Sequence, residues 1–260
     1  MIHEQKHHYG AQVHLLSSPS LEGWLADLCS PNSFQPRINH LVTRLYQNML
    51  RYVIDEQLPK QAFSEPTRMT KTHPDVLLHG TRVARATRAI SVNLARAGTY
   101  PSHLCYEALH DYLQPELIRQ DHIFAARTTN ENHQVTGTEF GASKIGGGQE
   151  AAYVFFPDPM GATGGTLVAA VDHYKKKVPG RAACYVALHL IVTPEYLRRV
   201  LTAHPDLQVY ALRLDRGLSS EAVLESEPGL LWAQERGLND SDYIVPGGGG
   251  FGEIMNNSFV

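Results

Sequence analysis

The densest chemistry in the 260-residue chain lies between Phe155 and Ala170, where an apolar run ends in Asp158 and a turn-rich segment leads into a helical pattern. Gly161, Gly164 and Gly165 permit tight turns and close ligand approach, and Thr163 and Thr166 offer hydroxyls where several amides converge at a helix start. Such a segment is suited to cradle an anion. It lacks the lysine of GxxxxGK[ST] and does not fit GxGxxG, so neither a nucleotide-hydrolysing loop nor a dinucleotide fingerprint is supported. On the residues alone, phosphate binding and an ordinary Gly-rich turn both stand. A carboxylate beside a phosphate is costly unless it meets hydroxyls or a metal. Asp158 therefore points to a ligand such as a ribose diol carrying phosphate. The 14 histidines are less informative. They form neither HExxH nor a compact Cys/His set, which argues against a transition-metal enzyme. The run from His173 to Lys177 reads as the solvated end of the helix after the cradle, with a phosphate or subunit contact as the alternative.

Positioning these groups requires a sheet and helices, and the apolar patterning supplies both. The runs 89–94, 122–126, 151–156, 183–188 and 207–212 suit buried strands, and 100–118, 164–178 and 194–204 suit the helices between them. This rhythm predicts an α/β fold with a mainly parallel sheet covered by helices, and ligands beyond the carboxyl ends of the strands. From Ile38 to Ile54 apolar residues recur three or four apart, predicting a helix of about five turns that packs through one stripe. Residues 1–33 read as an arm with at most one short helix, residues 34–260 as the main domain, and 57–88 as extended connections with little periodic structure.

Composition narrows the function class. A 43% apolar and 19% charged chain is not disordered, and no run approaches the 18 apolar residues of a membrane span. With 23 basic and 26 acidic side chains, and no aromatic-basic interleaving, a nucleic-acid surface is not expected. Cys29, Cys105 and Cys184 lie far apart with no CxxC pair, and the first residues carry no apolar signal core; a cytoplasmic location is the expectation.

The segment Asp158-Pro-Met-Gly-Ala-Thr-Gly-Gly-Thr166 resembles the phosphoribosyl-pyrophosphate motif of uracil phosphoribosyltransferases, in which Pro-Met follows the aspartate. Asn93-Leu-Ala-Arg-Ala-Gly98 is similar to that family's pyrophosphate loop, Ile123 to Glu131 to the start of its arginine-bearing mobile loop, and Gly237 to Gly247 to its uracil-recognition region. The resemblance runs from about residue 35 to the end. It implies a type I phosphoribosyltransferase-like fold, with a mainly parallel sheet flanked by helices and a small base-binding hood. It also implies transfer of a 5-phosphoribosyl group from phosphoribosyl pyrophosphate to uracil, giving UMP and diphosphate in pyrimidine salvage. The matched positions make Asp158, Arg96 and Arg127 the catalytic candidates. Asp158, Pro159, Met160, Gly161, Ala162, Thr163, Gly164, Gly165 and Thr166 become the donor-binding set, and Ile244, Gly249, Gly250 and Phe251 the base-facing set. Mg²⁺ is the implied cofactor, with no residue assigned to it. A homodimer or higher homo-oligomer and a GTP effector are also implied.

Several positions depart from the family pattern. Thr128 follows Arg127 where an acid is usual, Gly161 replaces a larger apolar residue and should loosen local packing, Gly250 replaces an aspartate, and Phe251 replaces a small residue. Glu253 keeps an acid at the later matched position. These departures leave two alternatives in view, a transferase for another base and a noncatalytic nucleotide-binding or scaffold protein.

Overall fold

The computed structural model describes residues 2–129 and 135–258, with the side chains of 125–129 and 135–141 outside the description. The chain opens with β1 (His3–Glu4) and β2 (Val13–Ser17). Helix α1 (Pro19–Cys29) follows, its first turn capped by Ser18, whose hydroxyl accepts the Leu21 amide at 3.3 Å. Helix α2 (Arg37–Gln57) buries Ile38, Leu41, Val42, Leu45, Tyr46, Met49, Leu50, Val53 and Ile54 along the predicted stripe. Each such side chain removed from water contributes about 1.5–3 kcal/mol, so this helix is held by packing more than by its own propensity.

Two stretches carry more structure than their patterning predicts. The segment read as an arm contributes a core strand, because β2 pairs in parallel with a strand near the end of the fold and buries Val13, Leu15 and Leu16. The segment read as extended connections is an antiparallel hairpin of β3 (Lys60–Glu65) and β4 (Leu78–Val83). It is mostly exposed, so little apolar periodicity marks it.

The remaining elements follow the expected alternation. They are β5 (Arg88–Ala95), α3 (Thr99–Leu109), β6 (Ile118–Thr129), β7 (Val135–Lys144), β8 (Ala152–Pro157), β9 (Met160–Gly161), α4 (Gly165–Lys177), β10 (Cys184–Val192), α5 (Pro194–Ala203), β11 (Leu207–Leu214), α6 (Glu221–Glu225) and α7 (Phe251–Ile254). The helix expected over 100–118 stops at Leu109, and Pro115 opens a single tight turn before β6 begins at Ile118.

Among the described residues the main sheet has the order β1-β2-β11-β10-β8-β5-β6-β7, with β9 also paired to β10. Every pairing from β2 to β6 is parallel; β1 and β7 are antiparallel edges. One apolar core joins α1, α2 and α3 to one face, and a second joins α4 and α5 to the other. After β5 the chain crosses to β6, whereas after β8 it crosses the opposite way to β10. The sheet order therefore reverses between β5 and β8, and a crevice opens past their carboxyl ends. No helix among the described residues is long and apolar enough to cross a membrane.

Candidate active site

Asp158 stands at the carboxyl end of β8, at the reversal point. Its amide donates to Leu188 O at 3.0 Å, and its Oδ1 accepts the Met160 amide at 3.1 Å. Beyond β9 the chain turns at Gly164, which has φ +76° and leads into α4. A Cβ there would lie 2.9 Å from Val200 Cγ1, so both conformation and space call for glycine. No side chain caps α4, and no acid sits in its first turn. Its opening amides and the positive end of its dipole are thus presented to the crevice, the arrangement an oxyanion needs. At the other end Lys176 pairs with Asp172 at 3.0 Å and Lys175 with Asp206 at 2.6 Å, so two of the three lysines of the basic run are engaged at the helix's own end.

Gly161 is buried in β9, and a Cβ placed on it would come within 2.8 Å of Val192 Cγ1 and 3.1 Å of the Tyr196 ring. The expected loosening is therefore absent: Val192 and Tyr196 already fill the space a larger residue would take. At Gly165 the Arg199 guanidinium occupies the corresponding place, 3.3 Å from such a Cβ.

Arg96 follows β5 in a turn whose Ala95–Arg96 peptide is cis. Gly98 lets this turn approach β8 closely, since a Cβ on it would be 3.0 Å from Pro157 O. The Arg96 guanidinium donates to Glu253 Oε1 at 2.7 Å and to Ser258 O at 3.3 Å. Arg127 falls in β6 opposite Thr138 of β7, and its side chain lies outside the described residues.

The C-terminal segment forms the facing wall. Ile244 bridges to Leu238 and is 8% exposed. Its turn is held by a buried clamp in which Asp215 Oδ2 accepts the Gly247 amide at 2.8 Å, while Arg213 donates to Asp215 and, at 2.8 Å, to Gly247 O. Phe251 is 2% exposed, and the edge of its ring lies against Gly248 in the core that contains Ile244 and Met255. Gly250 has an ordinary φ of −81°. An added Cβ there would overlap the Glu253 carboxylate, so an acid already fills the surroundings of position 250.

These pieces enclose one cavity of about 360 Å³. Asp158, Met160, Ala162, Thr163, Gly164, Thr166, Arg96, Ile244, Gly249, Gly250 and Phe251 line it, whereas Pro159, Gly161 and Gly165 back the lining. The sequence reading missed His189 and Tyr196 beneath Asp158, Ser241, Asp242 and Tyr243 on the C-terminal wall, and the Arg213–Asp215 clamp behind that wall. Only the alternation Arg213-x-Asp215 at a strand end hinted at the clamp. His189 is buried, which lowers its pKa to about 4 even though the Asp158 carbonyl works in the opposite direction. Burial raises the Tyr196 hydroxyl well above the ordinary tyrosine value, with the charge of Asp158 adding to it.

A family model described as uracil phosphoribosyltransferase matches residues 15–230, ending before the C-terminal wall of the cavity. Among curated proteins, the uracil phosphoribosyltransferase of Geobacillus kaustophilus (strain HTA426) is 41% identical over 98 residues, covering 38% of this chain and 36% of that protein. The one from Thermococcus kodakarensis is 34% identical over 100 residues, covering 38% of this chain and 34% of that protein. The matched stretches thus span little more than a third of these relatives. Among solved structures, the AQ2163 protein from Aquifex aeolicus superposes with a TM-score of 0.69 at 18% identity, over 94% of this chain and 97% of that one. The adenine phosphoribosyltransferase from Trypanosoma brucei, in complex with AMP, pyrophosphate and ribose-5-phosphate, gives a TM-score of 0.50 at 12% identity, over 82% of this chain and 87% of that one. At such identities these two likenesses are of fold.

Proposed function

Because this chain belongs to the uracil phosphoribosyltransferase family, we propose that it transfers the 5-phosphoribosyl group of phosphoribosyl pyrophosphate to N1 of uracil, giving UMP and diphosphate. The observation that carries this reading is the single cavity in which Asp158, the uncapped start of α4, Arg96 and the Ile244–Phe251 wall face one another. The amides of the Ala162–Thr166 loop and the two threonine hydroxyls hold the 5-phosphate. Asp158 accepts hydrogen bonds from the ribose hydroxyls and offsets the positive charge that develops at C1′. Arg96 takes the departing diphosphate through directed hydrogen bonds, in a role to which Arg127 is also assigned. As the C1′–O bond to diphosphate breaks, the N1–C1′ bond forms and the N1 proton of uracil passes to solvent. The backbone around Ile244 and Gly249 presents donors and acceptors to the flat base.

Asp158, Asp242 and Glu253 are the lining carboxylates, the groups that would hold a magnesium ion there. Among the described residues no three His, Cys, Asp or Glu side chains group as a metal cage. Bound there, the ion would neutralise charge on the leaving diphosphate. The test is a product assay with purified protein, Mg²⁺, phosphoribosyl pyrophosphate and a panel of uracil, cytosine and purine bases. UMP formed only when donor and uracil are both present supports the assignment. No nucleotide from any base, with donor binding demonstrated, rejects it, and a product from another base alone reassigns the acceptor.

A further inference from the structure

Beneath the donor loop lies a hydrogen-bonded pair that the mechanism above does not use. His189 and Tyr196 are each 1% exposed, their rings meet edge to face at 4.7 Å, and His189 Nε2 is 2.5 Å from the Tyr196 hydroxyl. His189 Nδ1 lies 2.6 Å from the Asp158 carbonyl. A carbonyl only accepts, so Nδ1 carries the proton, Nε2 accepts, and the Tyr196 hydroxyl donates. This chain of donors therefore runs in one direction, from Tyr196 through His189 to the backbone of Asp158.

The ladder between β8 and β10 explains why Asp158 needs that donor. Leu188 pairs with Pro157 and Ile191 with Met160, so the two strands keep register across the intervening residues. In a regular parallel ladder the Leu190 amide would meet the Asp158 carbonyl. Here it donates to Pro159 O at 3.0 Å instead, as does the Ile191 amide at 3.1 Å. The imidazole donates to the Asp158 carbonyl where a regular ladder would bring the Leu190 amide. Helix α5 braces the same segment again through Thr193, whose hydroxyl donates to Ala162 O at 2.7 Å and whose amide donates to Gly161 O at 3.1 Å. Gly161 makes room for the Tyr196 ring, because any side chain there would meet it.

We propose that His189 and Tyr196 are positioning residues for the ribosyl-binding carboxylate: they fix the backbone of Asp158 where the strand ladder releases it, and so set where its side chain meets the ribose hydroxyls. This rests on the donor-binding reading of Asp158. It specifies a function for two buried groups at the floor of the cavity.

A double-mutant cycle tests it, with His189→Leu measured in the wild-type and the Asp158→Asn backgrounds. In the wild-type background His189→Leu lowers kcat by roughly tenfold, the scale of one buried hydrogen bond lost. If the imidazole acts through the carboxylate, the same change in the Asp158→Asn background costs less than about twofold. His189→Asn, whose amide can donate from near the Nδ1 position, should recover at least half of the loss on a logarithmic scale. Tyr196→Phe keeps the ring that fills the space below Gly161 and removes only the hydroxyl; it should lower kcat about threefold and serves for the cycle if His189→Leu does not fold. Should wild type turn over no base, the functional reading fails by itself, and the cycle is read from calorimetric affinity for phosphoribosyl pyrophosphate. Equal losses in both backgrounds, or unchanged kcat and donor affinity in a folded His189→Leu protein, overturn the proposal.

Discussion

Replacing Asp158 with asparagine separates charge from shape at the centre of the cavity. Asparagine keeps an oxygen able to accept the Met160 amide, a contact of 3.1 Å, and the backbone bonds to Leu188 and His189 do not depend on the side chain. The fold should therefore be spared, with the thermal midpoint within a few degrees of wild type. What is lost is a charged acceptor facing the ribose, and an amide that donates takes its place. Hydrogen bonds to a charged group are each worth about 1.5–3 kcal/mol, which corresponds to a fall of roughly 10- to 150-fold in kcat/KM for the donor. Half-burial of Asp158 favours the lower part of that range, because water can partly replace the lost interaction. Steady-state kinetics at saturating uracil, with folding checked by circular dichroism, measure the change. An unchanged kcat/KM in a folded variant would remove Asp158 from ribose binding and would refute the charge argument altogether.

Three further changes have defined outcomes. Gly161→Leu forces a side chain against Val192 and Tyr196, so urea unfolding should show a loss of about 1–3 kcal/mol from overpacking; equal or greater stability would mean the two neighbours can move aside. Glu253→Gln removes the charge that occupies Arg96 across 2.7 Å. Calorimetry without Mg²⁺ should then find inorganic diphosphate binding about two- to fivefold tighter, the scale of one part-exposed ion pair, and weaker binding would show that Arg96 depends on this partner for its placement. His189 has a folded pKa lowered to about 4 from an ordinary 6.5, so the unfolded chain binds the extra proton between those values. Its contribution to stability, about 3 kcal/mol, is fully present above pH 6.5 and is lost as pH falls toward 4. The acid side of a urea-stability profile should be flatter in His189→Asn, and identical slopes would show that the imidazole is not held neutral.

The parts legible in the sequence are those where local pattern and function coincide. The strand runs 89–94, 151–156, 183–188 and 207–212 lie within β5, β8, β10 and β11 or overrun them by a residue, because strands covered on both faces must be continuously apolar. Asp158 through Thr166 could be read because the turn, the glycines that shape it and the start of α4 lie in one contiguous segment. Val13–Ser17 escaped because its buried residues sit in a short run with His14 and Ser17, too brief to separate a strand from a polar arm. The hairpin 60–83 escaped because an exposed pair of strands needs no apolar alternation. His189 lies one residue past the apolar run 183–188 and Tyr196 inside the helical pattern 194–204, and no motif marks either. Their pairing across seven positions exists only once β10 turns into α5.

The Arg213–Asp215 clamp has a consequence for redesign. It grips Gly247 through the peptide's own N–H and C=O, and every residue type has a C=O and all but proline an N–H. The base-facing wall is thus mounted by backbone on β11 and stands apart in sequence from the cradle at 158–166. On the proposed reading, a different heterocycle would be met by changing the exposed side chains of this wall while its backbone mounting stays as it is. The glycines limit that freedom: a Cβ at 248 would lie 2.7 Å from the Phe251 ring and 2.8 Å from Cys29 Sγ, one at 250 would overlap the Glu253 carboxylate, and Gly249 has φ +84°. A library built on this chain should hold 213, 215, 247–251 and 253 fixed and spend its diversity at Ser241 and Tyr243, which line the same cavity and are exposed.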